Sequence, residues 1–252
     1  MINPPFSPEE IDRYARHLVL PEIGGAGQQR LKAARALVIG AGGLGAPVIQ
    51  YLAAAGVGTL RIVDDDAVAL SNLQRQVIHT TTSLGAAKVA SAKEAVAALN
   101  PHVAVEAMET RFDDAHAAAL LEGVTVAIDG TDSFAARQSL AEACETACVP
   151  LVTAAVGRFD GQITTLDPAR VLASGEKAPR FCDLYPIAPE PGTIPPCAVA
   201  GVLGALTGVM GTLQAMEAIK LITGAGEPLI GRVMLFDALA MRFDTMSYKR
   251  KA

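Results

Sequence analysis

At 252 residues the chain is long enough to bury the core of one large α/β domain and too short for two complete ones. Its net charge of −5 leaves no basic stripe to displace counterions from a polynucleotide, which excludes general nucleic-acid binding; the only cationic cluster, Lys249-Arg250-Lys251, reads as a solvated tail. No apolar run reaches the roughly 18 residues of a membrane span, Met1 to Glu10 lacks a secretory core, and the cysteines read as free thiols, so a cytoplasmic protein with no membrane partner is expected.

In chain order, Pro8 to Leu18 reads as a polar helix and Gly24 to Ala33 as a second helical stretch. Arg35 to Ile39 is an apolar strand, and Gly40-Ala41-Gly42-Gly43-Leu44-Gly45 turns it into a helix reaching about Ala55. Gly56-Val57-Gly58 leads into a second strand, Thr59 to Val63, ending at Asp64. Asp65 to His79 is too polar and too long for an ordinary turn, and loops of that length are usually functional. A helix is then expected over Ser83 to Asn100, with Ser83 as its cap and Lys88 about a turn and a half inside.

Next come a half-buried alternating strand over His102 to Met108 and a short helix capped by Asp113 and ending at Glu122. A strand at Val124 to Ile128, a helix over Ser133 to Cys148 and a strand from Pro150 to Ala155 complete a strand-helix alternation, the doubly wound α/β pattern with a mainly parallel sheet. From Gly157 the pattern turns antiparallel, with strands at Gly161 to Leu166, Arg232 to Asp237 and Met241 to Phe243. Between them, Pro168 to Pro196 is rich in proline, glycine and charge, as expected of a lid or partner-binding crossover. With no Trp and only 4% aromatic residues, the core must be built from Ala, Val, Leu and Ile, which suits helices packed closely on a parallel sheet.

The glycine loop permits a tight turn and close backbone approach to phosphate, and the helix after it offers an anion its positive end. Asp64 stands where a carboxylate bonds ribose hydroxyls. Those features alone most often mean an NAD or FAD site. The polar insertion points elsewhere, because it brings Arg75, and the next helix brings Lys88, toward the same loop. Such a pair suits attack of a carboxylate on the α-phosphorus of ATP, which gives an acyl-adenylate and pyrophosphate. The nucleophile is already ionised at neutral pH and needs no base; the obstacle is an anion approaching a polyanion, which cations, a metal and oriented amides overcome. Asp132, in the polar turn after Val124 to Ile128, is the candidate magnesium ligand.

At this point the chain resembles the ThiF/MoeB/HesA family, small bacterial relatives of ubiquitin-activating enzymes, with a pattern nearest its MoeB branch. The resemblance runs nearly end to end as one adenylation domain. Arg13-Tyr14-Ala15-Arg16-His17 with Leu20-Pro21-Glu22-Ile23-Gly24 is similar to the family's N-terminal segment, and Gly40 to Gly45 to its GxGGLG loop. Ser71-Asn72-Leu73-Gln74-Arg75-Gln76 is similar to SNLQRQ, Gly85-Ala86-Ala87-Lys88-Val89 to GxxKV, and Gly201 to Gly204 with Gly211 to Lys220 to a late helix.

The resemblance implies a Rossmann-like sheet with a C-terminal antiparallel extension. It implies nucleotide contacts from Gly40, Gly42, Gly43, Leu44, Gly45, Asp64, Asn72, Arg75, Gln76 and Lys88, with magnesium on Asp132. Arg16 matches an arginine given across a homodimer to the second copy's ATP. The substrate implied is the C-terminal Gly-Gly carboxylate of a ubiquitin-like sulfur carrier, MoaD-like in molybdopterin synthesis or ThiS-like in thiazole synthesis, threaded under Pro168 to Ala200.

Two departures stand out. Many members hold a structural zinc on two Cys-x-x-Cys pairs; this chain has only Cys144, Cys148, Cys182 and Cys197, so no zinc is expected. Ser133 replaces a customary Asn after Thr131-Asp132, and a serine can still cap the helix.

Each residue also has a plainer reading. Arg16, Arg75 and Lys88 could be solvated charges, and Cys144 and Cys148 on one helix read as core packing rather than a metal site. Cys197 stands where larger relatives carry a thioester cysteine and some small ones form a sulfur adduct, and a tolerated thiol is the alternative. None of the four histidines is placed as a general base. The rival functions are an NAD-dependent oxidoreductase, supported by the glycine loop and Asp64 alone, and a silent adaptor for a ubiquitin-like protein, which the full set of charged residues argues against.

Overall fold

The protein is described from a computed structural model, which describes residues 6–190, 193 and 201–251. The apolar runs form the strands β1 (Arg35–Ile39), β2 (Thr59–Val63), β3 (Ala104–Met108), β4 (Val126–Asp129), β5 (Leu151–Val156), β6 (Asp160–Leu166), β7 (Arg232–Asp237) and β8 (Arg242–Ser247). They make one sheet in the order β3-β2-β1-β4-β5-β6-β7-β8. Neighbours from β3 through β5 are parallel, whereas β5 to β8 run antiparallel to one another. The strand order reverses between β1 and β4, and ligands of open α/β sheets bind at the carboxyl ends of strands flanking such a switch.

Alternate side chains of β1 serve two cores. Ala36 and Val38 pack with α3 (Gly24–Ala33), α4 (Gly45–Ala54), α5 (Lys88–Leu99) and the 20-residue α9 (Gly204–Thr223). Leu37 and Ile39 pack with α6 (Asp114–Leu121), α7 (Phe134–Ala147) and α8 (Phe181–Leu184). The central strands are therefore covered on both faces, which is why they are continuously apolar rather than alternating. Among the described residues no helix is long and apolar enough to cross a membrane.

Several expectations need correction. The first helix breaks at Tyr14 into α1 (Pro8–Arg13) and α2 (Ala15–Leu18), because the Tyr14 ring turns inward and its hydroxyl accepts a bond from Asn100 Nδ2 at 2.9 Å. Ser83 does not cap α5. It closes a short 3-10 turn, bonding Thr80, and Gly85 at φ +81° separates that turn from the helix, which begins at Lys88 itself. β3 does not alternate, since it lies at the sheet edge with both faces partly open. β4 starts two residues later than expected and takes in Asp129, and β8 runs on to Ser247. The C-terminal tail is not simply solvated: Arg250 donates to the Ala178 carbonyl at 3.1 Å and the Lys251 amide to Asp183 at 3.0 Å, docking the tail on α8.

Candidate active site

Gly40 follows β1 with φ +93°, a backbone state open to glycine, and a Cβ there would lie 2.7 Å from the Gly130 carbonyl oxygen. A Cβ on Gly45 would lie 1.9 Å from the Gly40 oxygen, so the loop closes on its own backbone at the start of α4. The Gly130 amide donates to the Ile39 carbonyl at 2.8 Å. The loops after β1 and β4 therefore form one surface at the switch point, with Asp132 two residues beyond the contact.

Asp64 reaches this loop from the end of β2. Its Oδ2 accepts the Ala41 amide at 2.8 Å and its Oδ1 the Asp66 amide at 2.9 Å. Its side chain is only 8% exposed, yet each oxygen keeps a lone pair for a ligand hydroxyl. Lys88, 5% exposed, places Nζ 2.7 Å from Asp66 and 3.9 Å from Asp64. Asp64 and Lys88 are thus brought together, and Lys88 is paired with a carboxylate that a phosphate could replace.

The insertion folds as a helical turn in which the Asn72 carbonyl accepts both the Arg75 and the Gln76 amides at 3.0 Å. Asn72 Oδ1 holds the Ala69 amide at 3.3 Å, and Arg75 is half-buried with Nη1 donating to the Ser71 carbonyl at 3.1 Å. Gln76 is buried against Gly42, and its Oε1 has no hydrogen-bond partner. Its position and its open acceptor both suit a site completed by a ligand.

The start of α9 joins the two loops. Gly204 leaves room for the Gln74 carbonyl, Thr207 hydroxyl donates to the Arg75 carbonyl at 3.4 Å and its methyl meets Gly43, and Gly211 lets the Leu44 carbonyl approach. In the sequence these small residues show only as a spacing along one helix stripe, with no sign of the loops they admit.

Asp132 is exposed and, among the described residues, makes no hydrogen bond or ion pair, so it is free to take a hard cation. Asp64, Asp65 and Asp66 also lie within 4.8 Å of one another, but Arg111 pairs with Asp65 and Lys88 with Asp66, so that trio is already largely neutralised. Sequence reading also missed Asp129. Wholly buried, it accepts from Arg137 Nε at 2.8 Å, the Thr153 hydroxyl at 2.7 Å and the Thr131 amide at 2.9 Å, and so anchors the turn that carries Asp132. Ser133 caps α7, its hydroxyl accepting the Ala136 amide at 3.2 Å.

Arg16 is not brought to this site. It is exposed between Tyr14, which fills the space over Gly56, and His17, which bonds Gln28; Gln28 in turn donates to the Ala55 carbonyl at 2.8 Å. Those contacts are at the C-terminal end of α4, and the glycine loop is at its other end, 10 residues away, or about 15 Å. Cys197 lies outside the described residues. Burial, with the Asp129 charge adding to it, pushes the Cys144 thiol up to about 12, whereas Cys148 and Cys182 are exposed.

A profile of the ThiF family matches residues 14–252. The SAMP-activating enzyme E1 of Haloferax volcanii is 47% identical over 95% of the chain and 86% of its own length. The molybdopterin-synthase adenylyltransferase of Escherichia coli is 41% identical over 97% and 95%. The probable adenylyltransferase/sulfurtransferase MoeZ of Mycobacterium tuberculosis is 45% identical over 97% of the chain, which spans 62% of that protein. Among solved structures, Escherichia coli MccB with ATP superposes with a TM-score of 0.81 at 19% identity, covering 95% of the chain and 72% of MccB, a likeness of fold alone.

Proposed function

The chain belongs to the ThiF family, and from that premise we propose that it is a nucleotidyltransferase that uses ATP to adenylate the C-terminal Gly-Gly carboxylate of a MoaD-like, ubiquitin-like sulfur carrier for molybdopterin synthesis. The observation that carries this reading is the convergence of Asp64, Lys88 and the Arg75 turn on a glycine loop at the β1/β4 switch point. The pyrophosphate of a nicotinamide cofactor is already served by the glycine loop and calls for neither cation beside it.

In the reaction a carboxylate oxygen of the carrier attacks the α-phosphorus, the bond from that phosphorus to the bridging oxygen breaks, and pyrophosphate leaves with the electron pair. Asp64 holds the ribose hydroxyls. The amides of Gly42 and Gly43 and the free donors of Arg75 face the phosphates, with Asn72 and Gln76 shaping the turn that presents them. Lys88 exchanges Asp66 for a phosphate oxygen, which places a mobile charge on the path of the incoming anion. Asp132 would hold magnesium, which would supply positive charge to the phosphates. Sulfur is delivered afterwards by another protein. The crossover beneath which the carrier tail would thread, 168–200, lies in part outside the described residues, at 191–192 and 194–200.

Arg16 completes the site from a second copy. Its distance from its own glycine loop and its anchored, exposed position support donation across a homodimer, since an arginine fixed at the far end of α4 cannot serve its own protomer.

The test is ATP-pyrophosphate exchange by Arg75→Ala and Asp132→Ala proteins whose circular dichroism and melting match the parent. Both lose exchange if they act as stated. Undiminished exchange in either removes that residue from the machinery.

A further inference from the structure

Buried His79 has no place in the chemistry above, yet both of its ring nitrogens are committed. Nε2 lies 2.9 Å from the Ala41 carbonyl oxygen and Nδ1 lies 2.9 Å from the Ser91 hydroxyl on α5. A carbonyl only accepts, so Nε2 carries the proton toward Ala41. In the neutral ring Nδ1 then accepts from Ser91. Burial, with the Lys88 charge adding to it, holds the imidazole below its ordinary range against the opposite pull of the Ala41 bond and Asp64, which keeps that neutral form in place.

The consequence lies in the peptide between Ala41 and Gly42. In a planar trans peptide the C=O and the following N–H point in opposite directions. Drawing the Ala41 carbonyl inward to His79 therefore turns the Gly42 N–H outward, away from the core. That N–H has no acceptor among the described residues. The peptide on the other side of Ala41 is held as well, its N–H on Asp64 Oδ2 at 2.8 Å. Without a latch, glycine at 42 would let this peptide flip and present a carbonyl oxygen to the phosphates, an acceptor where a donor is needed.

We propose that His79 is a positioning residue for nucleotide binding: its Nε2–H latches the Ala41 carbonyl and so aims the Gly42 amide at a phosphate oxygen of ATP. The proposal rests on the adenylation reading and assigns a role to a side chain that never touches the nucleotide.

Two polar substitutions separate the two bonds of the ring. A glutamine amide reaches where Nε2 sits and can keep the Ala41 bond, whereas an asparagine amide reaches only where Nδ1 sits and can keep only the bond to Ser91. The affinity for magnesium-ATP is measured by titration calorimetry in the parent, His79→Gln and His79→Asn proteins, alongside their melting temperatures. The expected result is parent-like affinity in His79→Gln and a loss of about tenfold or more in His79→Asn, the weight of one amide bond to a charged oxygen. Parent-like affinity in His79→Asn, or equal weakening in both folded variants, overturns the latch. A parent protein that binds no ATP overturns instead the adenylation reading on which it rests.

Discussion

Removal of the Arg137 charge tests how the turn bearing Asp132 is held. Asp129 is wholly buried, and Arg137, 10% exposed, is its only cationic partner among the described residues. In Arg137→Leu the carboxylate keeps its bonds from Thr131 and Thr153 but loses the ion pair that offset its desolvation. Breaking a buried pair from one side costs about 3–5 kcal/mol. For a chain of this size each kcal/mol is worth roughly 2–4 °C, so the melting temperature should fall by about 6–20 °C. Urea unfolding of the single variants and of Asp129→Asn/Arg137→Leu gives the cycle. The double variant, with no stranded charge, should recover roughly 1–3 kcal/mol relative to the sum of the singles. A loss below about 1 kcal/mol in Arg137→Leu, or strict additivity, would refute the buried-pair argument.

The remaining predictions concern the glycine loop, the second copy, the thiols and acid stability. Gly45→Ala, whose Cβ would overlap the Gly40 oxygen, should not give folded protein, while Gly25→Ala, with nothing within 4 Å, should gain about 0.5–1 kcal/mol; equal melting temperatures would contradict this. Arg16→Ala and Asp132→Ala proteins, each inactive, should recover about a quarter of parental exchange when co-refolded, because each mixed dimer holds one intact site; no recovery would count against donation in trans. A thiol reagent at pH 8 should label Cys148 and Cys182 in the folded protein and reach Cys144 only on unfolding. His79 is held below its unfolded value of about 6.5, so its neutral-state stability is present above that pH and is lost as the pH falls below it. The stability of the parent over His79→Gln should therefore narrow between pH 7 and 5, and a constant gap would contradict the buried neutral ring.

The parts of this molecule legible in the sequence are those fixed by local chemistry. The β1 run and the glycines after it constrain the backbone wherever they occur, and Asp113 and Ser133 cap their helices by contacts three residues away. Parallel pairing followed from the strand-helix alternation. Features set by distant contacts, or by one local signal overriding another, were not legible. Ser83 has the composition of a cap, but Gly85 breaks the chain before the helix can start. Asp132 drew notice as an exposed acid in a turn, while Asp129 was hidden by its place in an apolar strand, although it holds that turn. His79 gave no signal because its partners are a backbone carbonyl 38 residues earlier and a serine 12 residues later.

The most direct test of the central claim is ATP-pyrophosphate exchange by the purified protein with magnesium and a MoaD-like carrier, a ThiS-like carrier, or either lacking its terminal Gly-Gly. The account predicts exchange with the intact MoaD-like carrier and none with the truncated form. Exchange that ignores the carrier tail, or bound ATP with no exchange from either carrier, would contradict it.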